Sequence, residues 1–188
     1  RDLTVTGVQT CALPISISSH QCCEDIALMR AIPGMAVINP SDDVEAKAAV
    51  EAAINYNGPV YLRFGRLAVP VFNDPEHYRF ELGKGVTLRQ GGDLAIVATG
   101  LMVWEAIQAA ELLAAEGIHA RVIDIHTIKP LDTALVCKAA RETGKLLTVE
   151  EHSVIGGLGS AVCDAVCEEG IPCQVKKVGI QDQFGHSG

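Results

Sequence analysis

The chain has 188 residues, a length that holds one domain or one domain and part of another. Its 48% hydrophobic and 20% charged residues exclude a disordered chain and supply enough apolar material for a core. With 15 basic side chains against 23 acidic ones the formal charge is −8, so the basic footprint of a nucleic-acid binder is missing.

No membrane span is predicted, because the longest uncharged apolar stretch, Leu94 to Trp104, falls well short of the ~20 residues needed. Seven cysteines, odd in number and without a C-x-x-C pair, argue against a disulfide framework and for a reducing, cytoplasmic setting. The opening string RDLTVTGVQTCALPIS has polar residues scattered through it and lacks the ~7–15-residue apolar stretch of a signal peptide. It resembles the translated read-through of a sequencing adapter. Segment 1–18 is therefore expected to be non-native and is set aside from functional reasoning.

The elements follow in chain order. Residues 22–31 read as a helix stopped by Ile32-Pro33-Gly34. Met35 to Asn39 reads as a short strand. Ser41 or Asp42 then caps a helix in which Asp42 and Glu45 form a capping-box-like pair, and Gly58-Pro59 ends it. Val60 to Phe64 is the next strand. Residues 67–92, rich in Pro and Gly, form a domain linker that can carry a short strand at 84–88. Beyond it, apolar runs start at Leu94, His119, Lys145 and Val175, about 25 residues apart, with a helix in each gap. Asp132 suits the N-cap and Gly144 the C-terminal end of one of these helices. Strands joined by helical crossovers define an α/β fold with a mostly parallel sheet and flanking helices.

Several motifs invite chemistry. Gly156-Gly157-Leu158-Gly159-Ser160 opens a helix, but Val162 stands where a dinucleotide fingerprint needs its third Gly. A tight turn with close backbone packing is the expectation. Cys163, Cys167 and Cys173 lack a fourth metal ligand and read as small packing residues. Glu150-Glu151-His152 ends a strand, where ligands bind in open α/β sheets. It is either an acid/base group or, as preferred here, a solvated loop with the His bonded to a carboxylate. His126 near Lys129 is read the same way. Arg63 and Arg66, at the end of the Val60–Phe64 strand, are a candidate anion clamp.

Four strings resemble the C-terminal half of transketolases, in particular the half-subunit form encoded as a separate chain. They are HQCCEDIALMRAIPGM (20–35), GPVYLRFGR (58–66), HTIKPLD (126–132) and EEHSVIGGLGSAV (150–162), in the family's order and spacing. The resemblance implies a division into 19–75, the C-terminal part of a pyrimidine-binding domain, and 76–188, a linker and the transketolase C-terminal domain. It implies transfer of a two-carbon ketol unit between sugar phosphates, with thiamine diphosphate and a divalent metal (Mg), an N-terminal half-subunit as partner, and a homo- or hetero-oligomer. His20 matches the family's catalytic His, whose near-neutral pKa suits proton transfer. Arg66 matches the Arg that binds the sugar phosphate, and Arg63 is an assisting neighbour. Ser16-Ile17-Ser18-Ser19 replaces the family's G-E-D-G-x-T, and the Glu that activates the cofactor is missing upstream. The resemblance therefore implies a fragment, truncated at both ends and inactive alone. His186 stands where the family often has Glu. Deoxyxylulose-phosphate synthases and 2-oxo-acid dehydrogenase beta subunits share parts of the pattern. A non-catalytic α/β assembly domain and a nucleotide-binding domain are the rivals from other classes.

Overall fold

A computed structural model describes residues 22–183. His20, His186 and segment 1–18 lie outside the described residues. Within them the chain runs α1 (Asp25–Ala31), β1 (Ala36–Ile38), α2 (Asp43–Asn55), β2 (Val60–Leu62), β3 (Val86–Arg89), β4 (Leu94–Ala98), α3 (Met102–Ala115), β5 (Ala120–Asp124), β6 (Thr127–Lys129), α4 (Thr133–Thr143), β7 (Lys145–Ser153), α5 (Leu158–Glu168) and β8 (Gln174–Ile180).

The strands form two sheets. The larger has the order β3-β5-β4-β7-β8, parallel except for β3, which runs antiparallel along one edge. Its central strand shows why the sequence lacks alternation. On β4, Ala95 and Val97 face a core with α4 and α5, while Ile96 and Ala98 face a second core with α3. A strand covered on both faces reads as a continuous apolar run. This is the α/β fold expected from the spacing of the runs.

The smaller sheet has the order β2-β1-β6, with β1 parallel to β2 and antiparallel to β6. Strand β6 is not foreseen in the sequence. Three residues ahead of Pro130, with only Ile128 buried among apolar neighbours, carry no periodic signal. Its pairing with β1 ties the C-terminal part of the chain into the sheet of the N-terminal part.

Caps explain the helix boundaries. Asp42 Oδ1 accepts the Glu45 N–H at 2.9 Å at the start of α2. The Glu45 carboxylate reaches back one residue further than expected, to the Ser41 N–H at 2.6 Å. Asp132 caps α4 by accepting from Leu135 N–H at 3.0 Å, and Gly144 ends it at a φ of 66°, a left-handed conformation that glycine adopts without steric cost.

The stretch between β2 and β3 holds no regular element, yet it is held down along its length. Asp42 Oδ2 accepts the N–H groups of Phe72 and Asn73 at 3.1 and 2.8 Å. Phe72 stacks on Trp104 of α3 with ring centres 6.1 Å apart, and Phe80 lies 4.2 Å from the His126 ring. Gly85 N–H donates to Asp132 Oδ2 at 3.1 Å. Among the described residues no helix is long and apolar enough to cross a membrane.

Candidate substrate-binding site

The C-terminal ends of β2 and β7 meet beside α1, and the sequence-predicted arginines sit there. Strand β2 ends because the Arg63 N–H is its last ladder donor, bonding Ile38 O at 2.8 Å. The Arg63 guanidinium then turns inward, with a side chain only 11% exposed. Its Nε donates to Asp25 Oδ2 at 3.0 Å and its Nη1 to Glu151 Oε2 at 3.3 Å. Nη2 donates to the backbone oxygens of Cys22 at 3.2 Å and Glu151 at 2.8 Å. Burial opposes the charge, but the Asp25 and Glu151 carboxylates outweigh it and raise the Arg63 pKa. One side chain thus joins β2, α1 and β7.

Asp25 takes a second donor, the Tyr61 hydroxyl, at 2.7 Å. Burial, and then this bond to a carboxylate, raise the Tyr61 pKa. Arg66 lies three residues beyond Arg63 in the turn after β2 and is exposed. Gly65 fits between them against Leu101 and the Glu151 carboxylate, where a Cβ would come within 2.6 Å of Leu101 Cδ2. The two arginines are therefore not equivalent. Arg63 makes four hydrogen bonds to its own chain, while Arg66 stands in solvent at the lip of the same strand end.

Asp25 and Tyr61 were not singled out in the sequence, and Glu151 was singled out only as part of the Glu150-Glu151-His152 motif. An Asp in the first turn of a short helix reads as a solvated residue favoured by the helix dipole. Its only distinguishing signal is its place within the HQCCEDIALMRAIPGM string.

The other motifs resolve into structure. The solvated loop expected at Glu150-Glu151-His152 is instead strand: β7 continues to Ser153, and Glu150 and His152 are 2% and 0% exposed. The β7–β8 register advances from Val149 opposite Val178 to Ser153 opposite Ile180, an irregularity that falls beside both side chains. Glu150 Oε2 accepts the Leu158 N–H at 2.6 Å and Oε1 the Gly159 N–H at 2.8 Å. The glycine-rich N-terminus of α5, where a phosphate would bind, is thus filled by the chain's own carboxylate. A Cβ on Gly157 would overlap that carboxylate, so the glycines serve close approach, as expected of a tight turn. Burial raises the Glu150 pKa against the pull of the two N–H groups.

His152 was expected to bond a carboxylate. It bonds backbone instead: Nδ1 lies 2.7 Å from Ser153 O, and Nε2 accepts the Ala27 N–H at 3.3 Å. Both are satisfied by the Nδ1–H tautomer. His126 is 1% exposed, with Nδ1 2.9 Å from Thr127 Oγ1, and burial pushes its pKa down to about 4. Of the cysteines read as packing residues, Cys163 and Cys173 are half-buried, while Cys167 is exposed. Cys167 is the next-to-last residue of α5, one turn beyond Cys163 and close to the open end of the helix.

These features define an α/β protein of two sheets, with one strand-end arginine held by the buried Asp25 and the half-buried Glu151 and a second one left in solvent. Comparison with known proteins gives its lineage. The family model described as the transketolase C-terminal domain matches residues 83–188, and that of the transketolase pyrimidine binding domain matches residues 4–71. The chain belongs to the transketolase family. It is 46% identical over 171 residues to the 6-deoxy-6-sulfo-D-fructose transketolase subunit of Clostridium sp. (strain MSTE9), covering 90% of this chain and 52% of the relative. It is 44% identical over 172 residues to a putative transketolase C-terminal section of Methanocaldococcus jannaschii, covering 91% and 54%. A solved structure described as a split gene transketolase, inactive beta4 tetramer, superposes with a TM-score of 0.86 at 50% identity, covering 90% of this chain and 55% of that one. The chain spans about half the length of these relatives.

Proposed function

We propose that this chain is a C-terminal part of a transketolase half-subunit. With a separate N-terminal half-subunit, thiamine diphosphate and a divalent metal such as Mg, the complete protein passes a two-carbon ketol unit between sugar phosphates. The observation that carries this reading is the order of the two family domains, pyrimidine-binding then C-terminal, along one chain. Relatives described as subunits, and a structural neighbour described as a tetramer, support an oligomer.

Arg66 is the proposed phosphate ligand, because an exposed guanidinium presents parallel N–H donors that match phosphate oxygens. Arg63 positions the strand end that carries it. His20 is the proposed catalytic residue, moving protons at the oxygens of the donor sugar. The described residues do not themselves fit thiamine diphosphate. The glycine-rich helix start that would suit a diphosphate is occupied by Glu150. The cofactor and its metal are accordingly assigned to residues outside 22–183 and to the N-terminal half-subunit.

In the enzyme reassembled from full-length half-subunits, Arg66→Ala raises KM for a phosphorylated sugar roughly tenfold or more, the loss of a charged hydrogen bond worth about 1.5–3 kcal/mol. Steady-state kinetics with phosphorylated and unphosphorylated substrates check it, and equal KM changes for both remove Arg66 from the phosphate site. The 188-residue chain assayed alone with thiamine diphosphate and Mg gives no turnover. Measurable ketol transfer by it would place cofactor-binding residues within this chain.

A further inference from the structure

A cluster of buried acids sits where α2, the segment between β2 and β3, and β5 meet, and nothing in the proposed reaction uses it. Glu45, Ser41 and Asp124 are each 0–1% exposed, and Asp42 is 4% exposed. The Ser41 hydroxyl lies 2.7 Å from Glu45 Oε2 and 2.8 Å from Asp124 Oδ2. A hydroxyl has one proton, so it cannot donate to two carboxylates at once. The donors available settle which carboxyl is the acid. Glu45 accepts the Ser41 N–H, the Ser41 O–H and the Tyr78 O–H, which together satisfy an ionised group. Asp124 is offered one donor, the Ser41 hydroxyl, and otherwise lies against the Glu45 carboxyl, while its Oδ1 has no hydrogen-bond partner.

We propose that Asp124 keeps its proton at neutral pH and donates it to Ser41 Oγ, whose own proton is donated to the Glu45 carboxylate, so that a single shared proton closes the joint between the two family domains. The chain of donors runs Asp124 Oδ2–H to Ser41 Oγ–H to Glu45 Oε2, and each of these three oxygens has the partner its chemistry requires. The groups facing it are Asp42 and Glu45 from α2, Tyr78 from the intervening segment and Asp124 from β5. His126 follows two residues after Asp124, neutral above about pH 4. No Lys or Arg bonds to either carboxylate, among the described residues, to compensate a second negative charge. Burial raises the pKa of both carboxyls, but hydrogen bonds from Tyr78 and Ser41 pull Glu45 back, whereas burial first and then the Glu45 charge raise Asp124 well above the usual range, in agreement with the assignment.

The sign follows from linkage. The folded chain holds a proton on Asp124 that the unfolded chain has released above pH ~3.9. Stability from this site is therefore full below that pH and is lost as pH rises through the folded pKa of Asp124. His126 acts in the opposite sense, its contribution being lost as pH falls from about 6.5 toward about 4. A comparison of variant with wild type cancels it.

The test is urea unfolding of the whole chain from pH 5 to 9, with Asp124→Asn, Glu45→Gln and wild type in parallel. Asp124→Asn keeps a donor toward Ser41 Oγ and removes the titration. Its unfolding midpoint is expected to gain steadily on wild type as pH rises. Glu45→Gln turns an N–H₂ toward donors and is expected to lower the midpoint at every pH. Infrared difference spectra of the folded chain at pH 7 are expected to show a protonated-carboxyl C=O band that Asp124→Asn abolishes. A pH-independent gap between Asp124→Asn and wild type, or a band that survives the substitution, overturns the proposal. Should Glu45→Gln not fold, the Asp124→Asn slope and the spectrum decide alone.

Discussion

Arg63→Met is expected to lower the unfolding free energy by about 3–5 kcal/mol, the range for breaking a buried ion pair from one side. The pair qualifies, because the Arg63 and Asp25 side chains are 11% and 8% exposed. By contrast, the Lys47–Asp43 pair on α2 is 73% and 59% exposed, and such a pair contributes ~0–1 kcal/mol. Removing the guanidinium leaves Asp25 with the Tyr61 hydroxyl alone, and its Oδ1 already has no hydrogen bond. It also removes a donor from the half-buried backbone oxygen of Glu151. The loss is set by the stranded charge, so Asp25→Asn added to Arg63→Met recovers part of it. Urea unfolding of the two single variants and the double variant measures this coupling. A fully stable Arg63→Met chain would instead place Arg63 among the ligand-binding groups.

Glu150→Ala is the second large effect, expected at about 2–4 kcal/mol. A carboxylate that accepts two buried helix N–H groups is worth more than a solvent-exposed cap, because the orphaned donors cannot reach water. The damage is local in origin. Amide hydrogen exchange at Leu158 and Gly159 accelerates first, ahead of the core of β4. Unchanged protection at those two amides would show that α5 starts without Glu150. The same substitution empties the N-terminus of α5.

The outcome at these two residues shows where sequence reasoning reaches its limit. The helices and strands of the larger sheet were legible, because strands covered on both faces leave continuous apolar runs and amphipathic helices leave a periodic pattern. Asp42, Asp132 and Gly144 were legible as caps, since a short polar side chain or a glycine at a helix end has few other reasons to be there. Arg63 and Arg66 looked alike. Nothing local says that one folds inward, because that depends on Asp25 and Glu151, 38 and 88 residues away in sequence. Glu150 was assigned to a solvated loop because two acids and a His in a row look hydrophilic. The register irregularity in β7 and the approach of α5 bury it. Strand β6 was invisible for the same reason, being three residues defined only by their partner.

That short strand bears on how such a protein is inherited. The boundary drawn between the two matched family segments falls between residues 71 and 83, yet β6, among the described residues, supplies one of the three strands of the sheet on the other side. Were the segments shuffled independently, β1 would arrive without the antiparallel neighbour that covers its second edge. Recombination that respects the fold must carry both segments together, and the linear border between them is a seam in the text with no matching seam in the object.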